Sequence, residues 1–120
     1  MRRMTLQLWH NPRCSKSRQA KALLDARGAD YTERRYLDDP PTEGELDAVL
    51  TALGLQPWEL ARMNEAVARE LDLRNKPHDR GDWIAAMAGH PILIERPILV
   101  TDDGRAVLGR PPEAIEALLG

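Results

Sequence analysis

Cys14 is the residue in this sequence best suited to chemistry, because it is the single cysteine and lies in a polar, cationic segment. Arg13, Lys16 and Arg18 surround it. A helix N-terminus and neighbouring cations lower a cysteine pKa from about 8.5 to between about 3.5 and 7.5. Ser17 falls on the same helix face and can donate a hydrogen bond to the sulfur. The pattern favours a reactive thiolate; a buried, inert cysteine is the alternative.

The elements around Cys14 form a predicted strand, helix and strand. Residues Thr5 to Trp9 alternate polar and apolar and stop at a turn, and a helical spacing of apolar residues begins at Ser15. Gly28 is placed to terminate that helix, and Asp30 to Tyr36 is polar enough for an edge strand. The two strands should therefore be parallel, with a right-handed crossover.

A helical insert is predicted between about residues 42 and 90. Thr42 and Glu45 form a capping-box signature at its start. Further along, the segment from Asn64 to Leu73 has helical periodicity, with Leu71 on the apolar side. The insert is therefore expected to contain several short helices.

The C-terminal quarter predicts a hairpin followed by a helix. Two short apolar runs, Ile98 to Val100 and Arg105 to Leu108, flank an Asp-Gly turn, and Ile115 marks the buried face of a last helix. The order is βαβ, helical insert, ββα. We expect one domain of the α/β class over residues 1–120.

Composition excludes several classes of function. The chain has 120 residues, 42% of them hydrophobic, and a formal net charge of −2, so no overall field attracts nucleic acid or an anionic membrane. No apolar run reaches the roughly 20 residues of a membrane span, and the basic start lacks a signal-peptide core. We therefore expect a cytoplasmic protein. One cysteine and three scattered histidines show no metal-ligand spacing.

The segment from His10 to Arg18 resembles the active-site segment of the glutaredoxin-linked arsenate reductases and their Spx-type relatives. Further family landmarks follow in the family's order: Tyr36-Leu37, Arg62, Pro91 to Pro97, and Gly109 to Glu113. The resemblance covers nearly the whole chain. It implies a thioredoxin-like fold, in which a mixed four-stranded sheet is flanked by helices.

The resemblance also implies an oxyanion site. In it, Arg62, Arg96 and Arg110 converge on the cysteine, where guanidinium forks suit a tetrahedral oxyanion better than lysine would. Each arginine taken alone has a plain alternative as a solvated surface charge. Pro97 matches the family's proline beside the cysteine, and an ordinary strand-start proline is its alternative. His10 matches a histidine that orients the loop or polarises the thiol, or is simply a strand-end histidine.

The activity implied by the resemblance is reduction of arsenate to arsenite through a thiolate–arsenic adduct on Cys14. Ser17 stands where a Cys-x-x-Cys motif would have its second thiol, so the resolving thiol must be external. The family implies glutathione as co-substrate and glutaredoxin as partner, with no bound cofactor. Two alternatives remain: an Spx-like regulatory or protein-binding module without catalysis, and a monothiol oxidoreductase acting on glutathione mixed disulfides.

Overall fold

A computed structural model describes residues 5–95, 97–109 and 112–119. The strands are β1 (Leu6–Trp9), β2 (Tyr31–Arg34), β3 (Ile98–Thr101) and β4 (Ala106–Leu108). The α-helices are α1 (Ser15–Ala26), α2 (Glu43–Leu53), α3 (Pro57–Leu60), α4 (Ala66–Glu70), α5 (Arg80–Gly89) and α6 (Pro112–Leu119), with 3-10 turns at Leu73–Asn75 and Pro91–Leu93. The predicted α/β class, a mixed four-stranded sheet flanked by helices, is confirmed.

The chain divides into two compact units. The first consists of the described residues up to Asp39 and from Pro97 onward, and the second of residues 40–95. The first unit holds the sheet with α1 and α6, and the second holds α2 to α5. The segment predicted as a helical insert lies within the second unit.

The sheet has the order β2-β1-β3-β4. Strand β1 runs parallel to β2 and antiparallel to β3, which pairs with β4 in the predicted hairpin. One face carries the core of the first unit against α1 and α6, made of Leu6, Leu8, Ala20, Leu24, Leu99 and Ile115. The polar strand β2 lies at an edge, as its sequence predicted. Because β1 pairs with a strand on each side, the loop that follows it starts from a firmly held position.

Helix α1 begins directly after Cys14, whose extended backbone makes it the N-cap residue. The helix ends where Gly28 adopts a φ of 63°, and the Ala29 N–H reaches back to the Leu24 carbonyl. Apolar side chains at three- and four-residue spacing, including Ala20 and Leu24, hold the helix against the sheet. These buried contacts fix the orientation of α1 on the sheet, and therefore the direction in which its N-terminus points.

The second unit is a set of short helices with well-formed ends. The predicted capping box is present: Thr42 Oγ1 accepts from the Glu45 N–H at 3.1 Å, and Glu45 Oε1 accepts from the Thr42 N–H at 3.0 Å. Helix α5 begins after Asp79, and the guanidinium of Arg80 donates to Asp47 on α2 at 2.9 Å and to Gln56 at 2.9 Å. These bonds tie α5 to α2 and to the start of α3.

The helix predicted from Asn64 to Leu73 was wrong in extent. Helix α4 ends at Glu70, and Leu71, expected on the apolar face, is 41% exposed, whereas Leu73 is buried. The helix stops because Asp72 adopts the left-handed conformation, with a φ of 53°. Helix α3 ends at Leu60 because the next residue, Ala61, forms a β-bridge with Ile94.

Among the described residues, no helix combines the length and apolar character needed to cross a membrane.

Candidate active site

Cys14 stands at the start of α1, partly exposed. Its N–H donates to the Asn11 carbonyl at 3.0 Å, and its carbonyl accepts from the Arg18 N–H at 3.0 Å, so its backbone is held at both ends. The first turn of α1 contains no acidic residue. The N–H groups of that turn lack intrahelical acceptors and present the positive end of the helix dipole. Cys14 therefore lies at the N-terminus of a helix, as the sequence predicted.

The loop before Cys14 is held by a buried polar network. His10 and Asn11 are 3% and 4% exposed, and Ser17 is completely buried. The Ser17 hydroxyl lies 2.6 Å from His10 Nδ1 and accepts from the Asn11 N–H at 3.0 Å. Asn11 Oδ1 in turn accepts from the Arg13 N–H at 3.0 Å. This network gives the Cys14 loop a single well-defined path.

The surroundings of His10 favour its neutral form. Burial lowers its pKa, against a smaller raising effect of the Glu33 carboxylate. That carboxylate lies 3.9 Å from Nε2, on the side of the ring away from Ser17. A carboxylate facing Nε2 favours the tautomer with its proton there, so Nδ1 accepts the Ser17 hydroxyl proton. In this tautomer the Ser17 hydroxyl donates to His10 and accepts from the Asn11 N–H.

Two cations keep Glu33 ionised, Lys21 on α1 and Arg35 directly after β2. The Arg35 Nε donates to its carboxylate at 3.0 Å, which lowers the pKa of Glu33, and Lys21 Nζ lies 3.2 Å from it. Contact with Tyr31 and Glu33 raises the pKa of Lys21. The negative charge beside His10 is therefore present throughout the neutral pH range.

Arg18, predicted to stabilise the thiolate, has its Nη1 on the Pro12 carbonyl at 3.0 Å. This hydrogen bond links α1 to the loop before Cys14. The positive charge of Arg18 stays within one helical turn of Cys14. Arg13 and Lys16 are exposed on the same loop and helix start. The three cations predicted from the sequence thus lie in the segment from the loop into the first turn of α1.

A cavity of about 330 Å³ flanks this loop. It is lined by loop residues 10–13 and by Arg35, Leu37 and Asp38, which follow β2. We call it the loop-side cavity. Its charged groups are two arginines and one aspartate.

Of the three arginines predicted to bind the oxyanion, only Arg62 lies within the described residues. Arg62 belongs to the second unit, where its Nε lies 3.2 Å from Glu65 and its Nη1 lies 3.6 Å from Glu95. Its N–H donates to the Leu93 carbonyl at 2.7 Å. Two carboxylates therefore orient the guanidinium. Arg96 and Arg110 lie outside the described residues, so their place in the site stays a prediction.

Pro97, predicted as a structural residue beside the cysteine, is buried before β3. Its carbonyl accepts from the Gly109 N–H at 2.8 Å. A Cβ at Gly109 would lie 2.5 Å from Pro97 Cγ, so only glycine fits there without a shift. Because the peptide bond before Pro97 includes Arg96, its conformation lies outside the described residues.

Sequence reasoning missed two members of the loop network, Asn11 and Glu33. Asn11 carried a signal, because an Asn-Pro pair is typical of a turn whose first side chain bonds to the backbone ahead. Glu33 carried none, since its approach to His10 depends on the register of β1 and β2. Within the described ranges no group of three or more metal-ligating side chains occurs.

The sequence and the structure of this chain are similar to those of known proteins. The model of the ArsC family matches residues 9–118. An arsenate reductase of Neisseria meningitidis serogroup A is 43% identical over 115 residues, covering 95% of this chain and 97% of the relative. An "Uncharacterized protein in glnII region" of Streptomyces viridochromogenes is 52% identical over 117 residues, covering 95% and 98% of the two chains. The structure of an arsenate reductase from Vibrio cholerae superimposes with a TM-score of 0.88 at 39% identity, covering 96% of this chain and 98% of that one. The match over nearly the whole length shows that this chain belongs to the ArsC family.

Proposed function

We propose that this protein reduces arsenate to arsenite, with Cys14 as the nucleophile. The observation that carries the proposal is the partly exposed Cys14 at the N-terminus of α1, held by a buried network that fixes its loop. An activated thiolate is what attack on an electrophilic centre needs. The similarity to arsenate reductases of Neisseria and Vibrio supports arsenate as the electrophile.

Arg62, Arg96 and Arg110 are the proposed oxyanion ligands. Arginine forks offset the charge of a tetrahedral oxyanion and bind two of its oxygens at once. Glu65 and Glu95 beside Arg62 orient its guanidinium and offset part of its charge. Arg62 alone would therefore bind an oxyanion weakly, and the proposal requires the other two arginines.

The electrons come from external thiols. The Cys14 thiolate attacks arsenic, an S–As bond forms, and one oxygen leaves as water after protonation. A glutathione thiolate then attacks the Cys14 sulfur; the S–As bond breaks, and its electron pair stays on arsenic, which becomes As(III). Glutaredoxin attacks the glutathione sulfur of the resulting mixed disulfide and returns the Cys14 thiolate. Two thiols lose two electrons in total, and the reaction needs no bound cofactor.

This electron supply agrees with the cytoplasmic location that we propose. Glutathione and glutaredoxin work as reductants where thiols are kept reduced, which is the cytosol.

The test is arsenate-dependent NADPH oxidation in the presence of glutathione, glutathione reductase and glutaredoxin. Cys14→Ser should abolish turnover. Arg62→Ala and Arg96→Ala should each lower kcat/KM for arsenate roughly ten- to a hundredfold, as loss of a charge-assisted hydrogen bond does. Arg74→Ala removes the same charge from an exposed position of the second unit and serves as the matched control. Absence of turnover in the wild-type protein would refute the proposal.

The wild-type protein and the same variants also distinguish the two alternative functions. A monothiol oxidoreductase would reduce glutathione mixed disulfides, would lose that activity in Cys14→Ser, and would be insensitive to the arginine substitutions. A regulatory or protein-binding module would show neither activity, and Cys14→Ser would leave its binding intact.

A further inference from the structure

A line of polar contacts connects Glu33, on the edge strand β2, with the backbone before Cys14. Glu33 Oε1 lies 3.9 Å from His10 Nε2, and His10 Nδ1 lies 2.6 Å from the Ser17 hydroxyl. That hydroxyl accepts from the Asn11 N–H at 3.0 Å, and the Asn11 carbonyl accepts from the Cys14 N–H at 3.0 Å. A carboxylate at the sheet edge is therefore joined, contact by contact, to the peptide group of the nucleophile.

The proton on the His10 ring decides whether every group in this line has a partner. Ser17 is completely buried, and in the described part of the chain its hydroxyl makes hydrogen bonds to His10 and Asn11 alone. With the ring proton on Nε2, Nδ1 accepts from the hydroxyl, which in turn accepts from the Asn11 N–H. With a proton on Nδ1, the hydroxyl receives two donors, and its own buried proton has no acceptor among these contacts. The neutral ring protonated on Nε2 is the form that satisfies all three groups.

Glu33 favours that ring form through its charge. At 3.9 Å its oxygen is beyond hydrogen-bond distance of Nε2, and its side chain is 24% exposed, so the interaction is electrostatic and partly screened. A negative charge beside Nε2 stabilises an N–H placed there. The carboxylate is itself held by Arg35 Nε at 3.0 Å and by Lys21 Nζ at 3.2 Å. Glu33 is therefore a positioned charge that selects which ring nitrogen carries the proton.

The cations around His10 prevent a second proton from binding to the ring. Burial lowers the pKa of His10 most, Glu33 raises it, and Lys21, Arg35 and Arg18 lower it further. Lys21 and Arg18 come from α1, and Arg35 comes from the segment after β2 that also lines the loop-side cavity. The cations thus offset the tendency of the carboxylate to stabilise an imidazolium, whose Nδ1–H would leave the serine hydroxyl proton without an acceptor.

We propose that Glu33 is a positioning residue for the Cys14 loop, because it keeps the single proton of His10 on Nε2 and so preserves the hydrogen bonds that hold Asn11. It acts through the ring and the serine hydroxyl, without contact to the oxyanion. This inference rests on the proposed function for its effect on turnover, whereas its effects on the ring and on the loop are measured without arsenate.

The first test determines the protonation of the His10 ring by nitrogen-15 NMR of histidine-labelled protein above about pH 7. In the wild-type protein Nε2 should carry the proton, and Nδ1 should have the chemical shift of an unprotonated ring nitrogen. Glu33→Gln keeps the shape and removes the charge, and it should raise the fraction protonated on Nδ1 by roughly threefold or more. Glu70→Gln, which removes an exposed carboxylate from the end of α4, is the matched control and should keep the wild-type ring. An unchanged ring in Glu33→Gln would overturn the proposal.

A second variant separates this role from a purely structural attachment of β2 to α1. Glu33→Gln and Lys21→Met both break the Lys21–Glu33 ion pair, so a structural role of that pair predicts the same change in both variants. Under the proposal the variants differ, because Lys21→Met removes a cation and raises the pKa of His10, whereas Glu33→Gln removes an anion and lowers it. The midpoints of the His10 titration should therefore move in opposite directions from the wild-type value. Movement in the same direction would contradict the positioning role.

Amide exchange and turnover supply the remaining measurements. In Glu33→Gln the Asn11 and Cys14 amide protons should exchange with solvent roughly three- to tenfold faster, because the hydrogen bonds that protect them weaken. With arsenate, kcat should fall by a similar factor while the KM for arsenate stays at the wild-type value, since Glu33 is not among the proposed oxyanion ligands. Unchanged exchange at these amides, or an unchanged kcat in an active enzyme, would refute the inference. If the wild-type protein does not turn over arsenate while Glu33→Gln alters the ring and the exchange, the positioning role stands and the arsenate reductase proposal fails.

Discussion

Replacing Ser17 by alanine removes the centre of the loop network. The Ser17 hydroxyl bridges His10 Nδ1 at 2.6 Å and the Asn11 N–H at 3.0 Å, and all three residues are buried. A buried polar group left without a partner costs about 1–3 kcal/mol. Two groups lose their partner here, and relaxation of the loop recovers part of the loss. We therefore expect Ser17→Ala to lower the free energy of unfolding by about 2–4 kcal/mol.

The measurement is urea denaturation. An unchanged dependence of the free energy of unfolding on urea concentration would show that the variant and the wild-type protein expose the same amount of surface on unfolding. Ser15→Ala is the matched control, because Ser15 is exposed at the first position of α1. It should change the free energy of unfolding by less than about 0.5 kcal/mol. Equal values for the two variants would show that the Ser17 hydroxyl does not hold the loop, and the account of how Cys14 is positioned would be refuted.

Three further outcomes are expected. Alkylation of Cys14 by iodoacetamide should follow an apparent pKa below about 7, and a value near 8.5 would contradict the activated thiolate. Because burial lowers the pKa of His10, the unfolded state takes up a proton below about pH 6.5 that the native state resists. The free energy of unfolding should therefore fall between about pH 7 and 5.5, and His10→Gln should lose this slope. Gly109→Ala should destabilise by about 1–3 kcal/mol in thermal or urea unfolding through its clash with Pro97, whereas Gly89→Ala, which meets no atom within 4 Å, should be neutral.

Local sequence signals predicted the element order and most of the helix ends. The Thr42 and Glu45 capping box, the Gly28 terminator and the Asp-Gly hairpin all depend on residues within four positions of one another. Interactions of that range are fixed by the identity of the residues. They needed no knowledge of the tertiary structure.

The interior of the second unit was harder to predict. Leu71 fits a helical apolar face, yet it is exposed and Leu73 is buried, because Asp72 turns the chain into the left-handed region. Periodicity shows that a segment has an apolar side, but packing partners decide which residues use it.

The sequence by itself determined that Cys14 is the only thiol among these 120 residues, and that it follows a strand and stands at the start of a helix. Only the tertiary structure decided what surrounds it. The pairing of β1 with β2 brought Glu33 to His10, and the same pairing placed Arg35 and Asp38 against the loop. These contacts join residues more than 20 positions apart, so they arise from strand register and burial, which no local pattern contains.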